Sequence, residues 1–305
     1  MAQITVIRGG AIGDFVLTLP AIDALRAAFP HLPLHLIGHP PTVRLARPDR
    51  ILDHDSRLLT PLHTPGTDIP PATATLFADI HLLLAYATDP DNILSTHLRS
   101  LVPGPVLVHD PRPPEGTIEH ITDHLLRPLR RHGIHIPNPS PHIHLHPEDC
   151  VYAETCWQQR KLNSPNVVFH PGSGGRHKCW PLERFLELAE ELQQRRIQIL
   201  FLWGPVEEDR LGRLPDPLHP LHPPGLLDLA GLLARADLFV GNDSGPSHIA
   251  AAVGTPTLTL FGPTDPRLWS PRSSRARILR APHSQLSALD VDLVLAAVLA
   301  ALDVK

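Results

Sequence analysis

The segment Arg8-Gly9-Gly10-Ala11-Ile12-Gly13-Asp14 brings a glycine-rich loop to an end on a carboxylate. Glycines there permit tight turning and close approach of a ligand to the backbone. The carboxylate is then either a cap on the helix that follows or a general base held at a cleft, and the local pattern leaves both readings open. A second loop, His170-Pro171-Gly172-Ser173-Gly174-Gly175-Arg176-His177-Lys178-Cys179-Trp180-Pro181, sets small residues beside a hydroxyl and fixed cations, which suits a phosphate. Lys178 stands out in a chain whose other lysines are Lys161 and Lys305. Trp180 reads as a core anchor for the next helix. The third loop is Gly241-Asn242-Asp243-Ser244-Gly245-Pro246-Ser247-His248. Asp243 or Ser244 can cap a helix there, Pro246 fits its first turn, and the N–H groups from Gly245 to His248 would hold an anion, with a diphosphate as the natural occupant. His248 could donate to a phosphate oxygen or be structural. Glu207 and Glu208 follow Trp203-Gly204-Pro205; a carboxylate here could hold the ribose hydroxyls of a nucleotide or be a first-turn acid favoured by the helix dipole.

Each loop follows a short β-branched or apolar run and precedes a pattern of helical period. Strands are predicted at residues 4–7, 34–37, 80–84, 106–108, 167–169, 197–203, 238–240 and 257–261. Helices are predicted near 22–29, 118–129, 149–160, 181–195, 226–234, from 247, and over 291–302, the last apolar around most of its girth and so expected to be well buried. Residues 40–75 read as loops with short elements. The βα alternation, restarting after the proline-laden stretch 137–147, predicts an α/β chain with two doubly wound, Rossmann-like domains. The expected division is 1–147 and 148–305, with the final helix free to pack back on the N-terminal domain.

Composition narrows the function classes. A length of 305 residues fits two domains of about 150 each. With 27 basic against 31 acidic side chains the net charge of −4 gives no global field to gather nucleic acid, which is excluded as a partner. Three cysteines without a CxxC indicate neither a disulfide scaffold nor a zinc knuckle, and a reducing compartment fits best. The sequence has no signal-peptide pattern and no apolar run of about 18 residues, so a cytoplasmic protein that does not span a membrane is expected.

Some patterns resemble sites without the context of one. His142, His144 and His146 would share a face of a strand, but prolines at 141 and 147 favour a solvated linker over a metal site. Asp53-His54-Asp55 and Asp290-Val291-Asp292 match a cation-holding DxD, and neither follows a convincing strand. Arg272, Arg275, Arg277 and Arg280 read first as a solvated loop entering a strand.

Residues 4–30, 167–189 and 232–271, with the motifs GGAIGD, HPGSGGRHKCWP and NDSGPSH in register, together resemble glycosyltransferase family 9, the ADP-heptose:lipopolysaccharide heptosyltransferases and their relatives. The resemblance implies a GT-B fold, two Rossmann-like domains facing across a cleft, with the acceptor side in the first and the nucleotide sugar in the second. It implies an inverting, metal-independent transfer with no cofactor beyond the nucleotide-diphospho-sugar. Matched by motif, Asp14 is the base, with Gly10 and Gly13 in the acceptor-side loop. Lys178 is catalytic and binds the diphosphate with Ser173 and Gly174. Asp243, Ser244, Gly245 and His248 complete the phosphate and sugar site, and Glu207 or Glu208 lies near the ribose. The partners implied are a nucleotide-sugar donor and a glycolipid or oligosaccharide acceptor, and a lipid tail on the acceptor would bring transient, peripheral contact with the inner membrane face. Residues 281–285 lack the cysteine many relatives carry there, and the N-terminal lobe is short, which points away from the standard inner core as acceptor. The competing functions are an NAD(P)-binding oxidoreductase, disfavoured because Ile37 is followed by Gly38-His39-Pro40 and not by an acid, and a non-catalytic sugar-nucleotide-binding protein, which would need neither Asp14 nor Lys178.

Overall fold

The computed structural model describes residues 2–162, 164–214, 218 and 220–302. Contacts divide the chain between Pro139 and Ser140, earlier than the 147/148 boundary read from sequence. The reason is local. The extended segment 140–146 docks on the second unit, where buried Ile143 donates its N–H to the Ala252 carbonyl at 3.1 Å.

The first unit runs β1 (Gln3–Arg8), α1 (Ile12–Val16), α2 (Leu19–Ala28), β2 (Leu34–Gly38), α3 (Pro40–Val43), β3 (Arg50–Asp53), α4 (Pro71–Phe77), β4 (Ile80–Tyr86), α5 (Ile93–Leu101), β5 (Val106–His109) and α6 (Ile121–Arg131). Its five strands are parallel in the order β3-β2-β1-β4-β5. A parallel sheet is covered on both faces, so β1 and β4 are near-continuous apolar runs with Ile4, Val6, Leu83 and Leu84 buried. Strand β3 was not anticipated, and Asp53 ends it, so the first DxD pattern does follow a strand.

The second unit runs α7 (Pro147–Arg160), β6 (Asn166–His170), α8 (Leu182–Gln194), β7 (Gln198–Phe201), α9 (Pro205–Leu211), α10 (Leu226–Ala234), β8 (Leu238–Asn242), α11 (Gly245–Ala252), β9 (Thr257–Phe261), α12 (Pro266–Trp269), β10 (Ala276–Arg280) and α13 (Val291–Leu302). Its parallel order is β10-β9-β8-β6-β7. Its core gathers Phe169, Trp180, Phe185, Phe201 and Leu238, and α13 joins it through Val294, Leu295 and Val298. The final helix thus packs within its own unit, against α8, β8 and β9. Only one of its faces is covered, and Leu293 stays 49% exposed in spite of the apolar girth.

In the first unit two imidazoles tie β5 to α6, with ring centroids 4.4 Å apart. His109 Nε2 donates to the His124 carbonyl at 3.0 Å, and His124 Nε2 to the Asp110 carbonyl at 2.9 Å. Burial first, then the neighbouring His124, Arg131 and Arg127, push His109 down to about 4. The unfolded chain, at about 6.5, therefore takes up this proton before the folded one does. This contribution to stability is complete above about pH 6.5 and is lost as the pH falls toward 4. Thermal unfolding is expected to drop by several degrees between pH 7.5 and 5, and His109→Gln, which keeps a donor to His124, should shrink that drop; an unchanged drop would remove His109 as its source.

Candidate active site

In the second sheet, chain connections leave β6 and β8 in opposite directions, and ligands of open α/β sheets bind at such a switch point. The loops after β6, β8 and β9 meet there on Asp243. Its carboxylate Oδ2 lies 3.2 Å from Lys178 Nζ and accepts from Thr264 Oγ1 at 2.8 Å. Its Oδ1 is 4.0 Å from His248 Nε2, and its backbone carbonyl accepts from Ser173 Oγ at 2.8 Å. Lys178 keeps 30% of its side chain exposed while Asp243 is buried. An ammonium has three donors and the Asp243 contact occupies one, so the cation is held yet able to receive an anion.

Asn242 underpins this arrangement. Its Oδ1 accepts from the Trp180 N–H at 2.9 Å and its Nδ2 donates to the Pro171 carbonyl at 2.8 Å. Trp180, 1% exposed, is the core anchor expected, and its indole N–H donates to the Leu289 carbonyl. Gly245 opens α11, with Ser244 as N-cap and Pro246 at N2. Neither Asp243 nor Ser244 caps by side chain, because Ser244 Oγ turns to His170 Nδ1 at 3.3 Å and Ser247 Oγ at 3.4 Å. The first-turn N–H groups thus retain their positive end of the dipole. Gly174 is exposed, with open space where a β-carbon would sit.

The two glutamates separate. Glu207 is 7% exposed at N3 of α9, where Oε2 accepts from the Gly204 N–H at 2.9 Å and Oε1 lies 3.3 Å from His170 Nε2. Burial pushes this carboxyl up, but the hydrogen bond and charge of His170, with the Gly204 N–H, outweigh burial and hold it below the usual range. Glu208 is exposed. Glu207 also helps line a pocket of about 390 Å³ with Gly172, Ser173, Arg176, Cys179 and Arg210. A β-carbon on Gly172 would fall 1.8 Å from Glu207 Oε1. Gly172→Ala is therefore expected to displace Glu207 from His170 and to cost about 2 kcal/mol, read as a lowered Tm, whereas Gly174→Ala should leave Tm unchanged.

In the first unit Gly13 and Asp14 occupy N2 and N3 of α1. Asp14 does cap, but from N3: its Oδ2 accepts from the Ala11 N–H at 3.2 Å. Gly10 has φ +102°, and a β-carbon on it would press 3.2 Å from the same oxygen, so glycine is required twice over. Beneath the loop, buried Arg8 donates from Nε to Thr18 Oγ1 at 3.1 Å and from Nη2 to the Asp14 carbonyl at 3.3 Å, while its guanidinium lies 5.7 Å from the Tyr86 ring centroid. Burial lowers the Arg8 guanidinium from its ordinary value and the Asp14 charge opposes this.

Sequence reasoning had not singled out Arg8, His170, Asn242, Arg210 or Thr264. A signal existed for two of them: Asn242 ends β8, and Thr264 follows β9 within the Gly262-Pro263-Thr264-Asp265 turn. The other candidate patterns find structural explanations. His142 and His144 are exposed, with ring centroids 4.5 Å apart. Asp290 accepts from the Asp292 N–H before α13. Among the described residues no cluster of three His, Cys, Asp or Glu side chains is arranged to hold a metal ion.

Lipopolysaccharide heptosyltransferase 3 of Escherichia coli K12 is 36% identical over 136 residues, which is 39% of this chain and 39% of that one. The match thus spans about two fifths of the length of that curated relative. The glycosyl transferase family 9 structure from Veillonella parvula superposes with a TM-score of 0.80 at 20% identity, covering 99% of this chain and 98% of the other. E. coli heptosyltransferase WaaC with ADP superposes with a TM-score of 0.72 at 21% identity, covering 99% and 100%. These structural likenesses establish the fold, two Rossmann-like units of the GT-B class. The model of glycosyltransferase family 9 (heptosyltransferase) matches residues 121–292, more than half of the chain, and the protein belongs to that family.

Proposed function

We propose that the protein is an inverting, metal-independent glycosyltransferase that moves a heptose from ADP-heptose onto a lipopolysaccharide-core or related glycan acceptor. The observation that carries this reading is Lys178, partly exposed and held by Asp243, beside a helix start whose N-cap side chain makes no capping bond. A cation and a helix dipole together bind a diphosphate and stabilise the negative charge that grows on it as the sugar departs. The Asp243 carboxylate is neutralised by Lys178, leaving the dipole to favour the anion. Glu207, buried and ionised, is the candidate for the ribose hydroxyls, and Ser173, Gly174, Ser244 and His248 frame the phosphates.

On the acceptor side Asp14 would take the proton from the attacking hydroxyl. One Asp14 oxygen is engaged by Ala11, which fixes the carboxylate and leaves the other to act. Inversion requires attack opposite the leaving diphosphate, and the base and the anion site are supplied by different units. An oxidoreductase is not favoured: β2 ends in Gly38, where a β-carbon would clash with the Arg8 carbonyl, and no acid stands there for a ribose. Among the described residues no helix is long and apolar enough to cross a membrane. A lipid-tailed acceptor would still bring the protein to the inner face of a membrane from the cytoplasm.

The test is thermal stabilisation by ADP, GDP, UDP, dTDP and NAD in the presence of EDTA, followed by transfer from ADP-heptose to lipopolysaccharides of graded core length. Selective stabilisation by ADP and metal-free transfer are expected. Stabilisation by NAD alone, or turnover that EDTA abolishes and a divalent cation restores, would overturn the reading.

A further inference from the structure

The first sheet holds a second concavity that the reading above does not use. A pocket of about 250 Å³ lies at the carboxyl ends of β4 and β5, lined by Thr88, Asp89, Asn92, Ser95, Arg99 and Asp110 among others. It lies beside the switch point of the sheet, one strand removed from it. In the order β3-β2-β1-β4-β5 the switch point falls between β1 and β4, where a ligand of an open α/β sheet binds. All the strands are parallel, with Tyr86 of β4 in register with Arg8 of β1, so the pocket and the Asp14 loop open on the same sheet edge. Adjacent strands lie about 4.8 Å apart, a distance comparable to one pyranose ring.

The lining selects for the kind of group that can enter. Asp89 accepts from the N–H groups of Leu94 at 3.1 Å and Ser95 at 2.8 Å. Burial raises its carboxyl, but those N–H groups and the Ser95 hydroxyl outweigh burial and keep it below the ordinary range. Asp110 Oδ1 accepts from Thr88 Oγ1 at 3.1 Å and from the Arg112 N–H at 2.8 Å. A carboxylate has about four acceptor sites; those of Asp89 are taken by its own chain, the Ile93 N–H included, whereas Asp110 keeps lone pairs, with both of its donors on Oδ1. Asn92 supplies a donor and an acceptor, and Arg99 is one cation against two anions. Hydroxyl groups fit such a lining, since they donate to the Asp110 carboxylate and accept from amide and guanidinium. A phosphate or carboxylate would meet excess negative charge.

We propose that this pocket binds an uncharged sugar residue of the acceptor, one position along the glycan from the residue that Asp14 activates. That the sugar belongs to an acceptor rests on the glycosyltransferase reading; that the pocket takes an uncharged sugar does not. The geometry therefore assigns the acceptor to glycans with a neutral residue next to the site of transfer, in preference to an acidic or phosphorylated one.

Amide spectra of the full chain, titrated with methyl α-mannoside and separately with a methyl glucuronide, test this. The mannoside is expected to shift the amides of Thr88, Asn92, Ser95 and Asp110 saturably, and the glucuronide to bind at least tenfold more weakly. Asp110→Ala and Asn92→Gly, which spare the Asp89 contacts of α5, should each weaken the mannoside at least fivefold while ADP affinity is unchanged. Absence of shifts over 88–110, equal affinity for the two sugars, or insensitivity to both variants would overturn the proposal. Loss of ADP binding with the mannoside response intact would sink the transferase reading and leave the pocket standing.

Discussion

Asp14→Asn is expected to lower kcat about a thousand-fold while leaving ADP binding and Tm unchanged. A positioned general base contributes roughly 10²–10⁴ in rate, and with Asp14 in the proposed role the amide would remove the base while keeping the shape. The stability half of this prediction follows from the loop. The Ala11 N–H donates to a side-chain oxygen of Asp14, and an asparagine carbonyl can accept the same bond. Asp14→Ala, by contrast, removes that acceptor from the start of α1 and should lower Tm as well. Comparing the two separates the cap from the base, because equal turnover in Asp14→Asn and the wild type would assign Asp14 to capping alone. It also removes the competing function of a protein that binds sugar nucleotides without turnover, which predicts no measurable rate in either.

Lys178→Ala is expected to weaken ADP by about a hundred-fold and to reduce kcat/KM by a further ten-fold or more, as losses of single charge-stabilising donors do. Two effects add. The ammonium no longer meets the diphosphate, and the Asp243 carboxylate, 9% exposed, is left facing that diphosphate with its Lys178 partner gone. Lys178→Ala combined with Asp243→Asn should therefore bind ADP more tightly than Lys178→Ala alone, although less tightly than the wild type. Thr264, which donates to the same carboxylate oxygen, can donate to the amide oxygen as well, so the double variant keeps that link. Calorimetry of the four proteins in a cycle measures the coupling, and strictly additive losses would show that Asp243 does not hold the lysine.

Much of this fold was legible because its buried strands and helices carry clear apolar patterns: strand 257–261 and the helices over 226–234 and 291–302 fall where the pattern placed them. Two elements that escaped share a physical trait. Strand β3, Arg-Ile-Leu-Asp, is a half-exposed edge with charged ends, and α5 mixes Ser, Thr and His among its leucines, so neither shows a clean period. At the site, loop chemistry announced Lys178, Asp243 and Asp14, because glycines and helix starts are local signals. Consecutive residues of a helix point in different directions, so Glu207 and Glu208 were separable only by recognising Gly204 as the N-cap, three positions before the glutamate that reaches back to it. The Asp243 cluster draws on residues 65 and 70 positions apart in the chain, and a pairing at that range leaves no periodic trace.

Asn242 joins two loops through main-chain atoms alone, the Trp180 N–H and the Pro171 carbonyl. A clamp that grips backbone is indifferent to the side chains carried between its jaws. Residues 174–177 can therefore be exchanged during divergence without unseating the loop that carries them, while Gly172 keeps its space open for Glu207 and Ser173 and Lys178 keep their contacts with Asp243. On the proposed function, preference for one sugar nucleotide over another would drift through exposed positions such as Arg176 and His177 while Lys178 stays on station. The same clamp makes Asn242 itself a poor place for innovation, since no apolar replacement could satisfy both main-chain groups in a position that is 0% exposed.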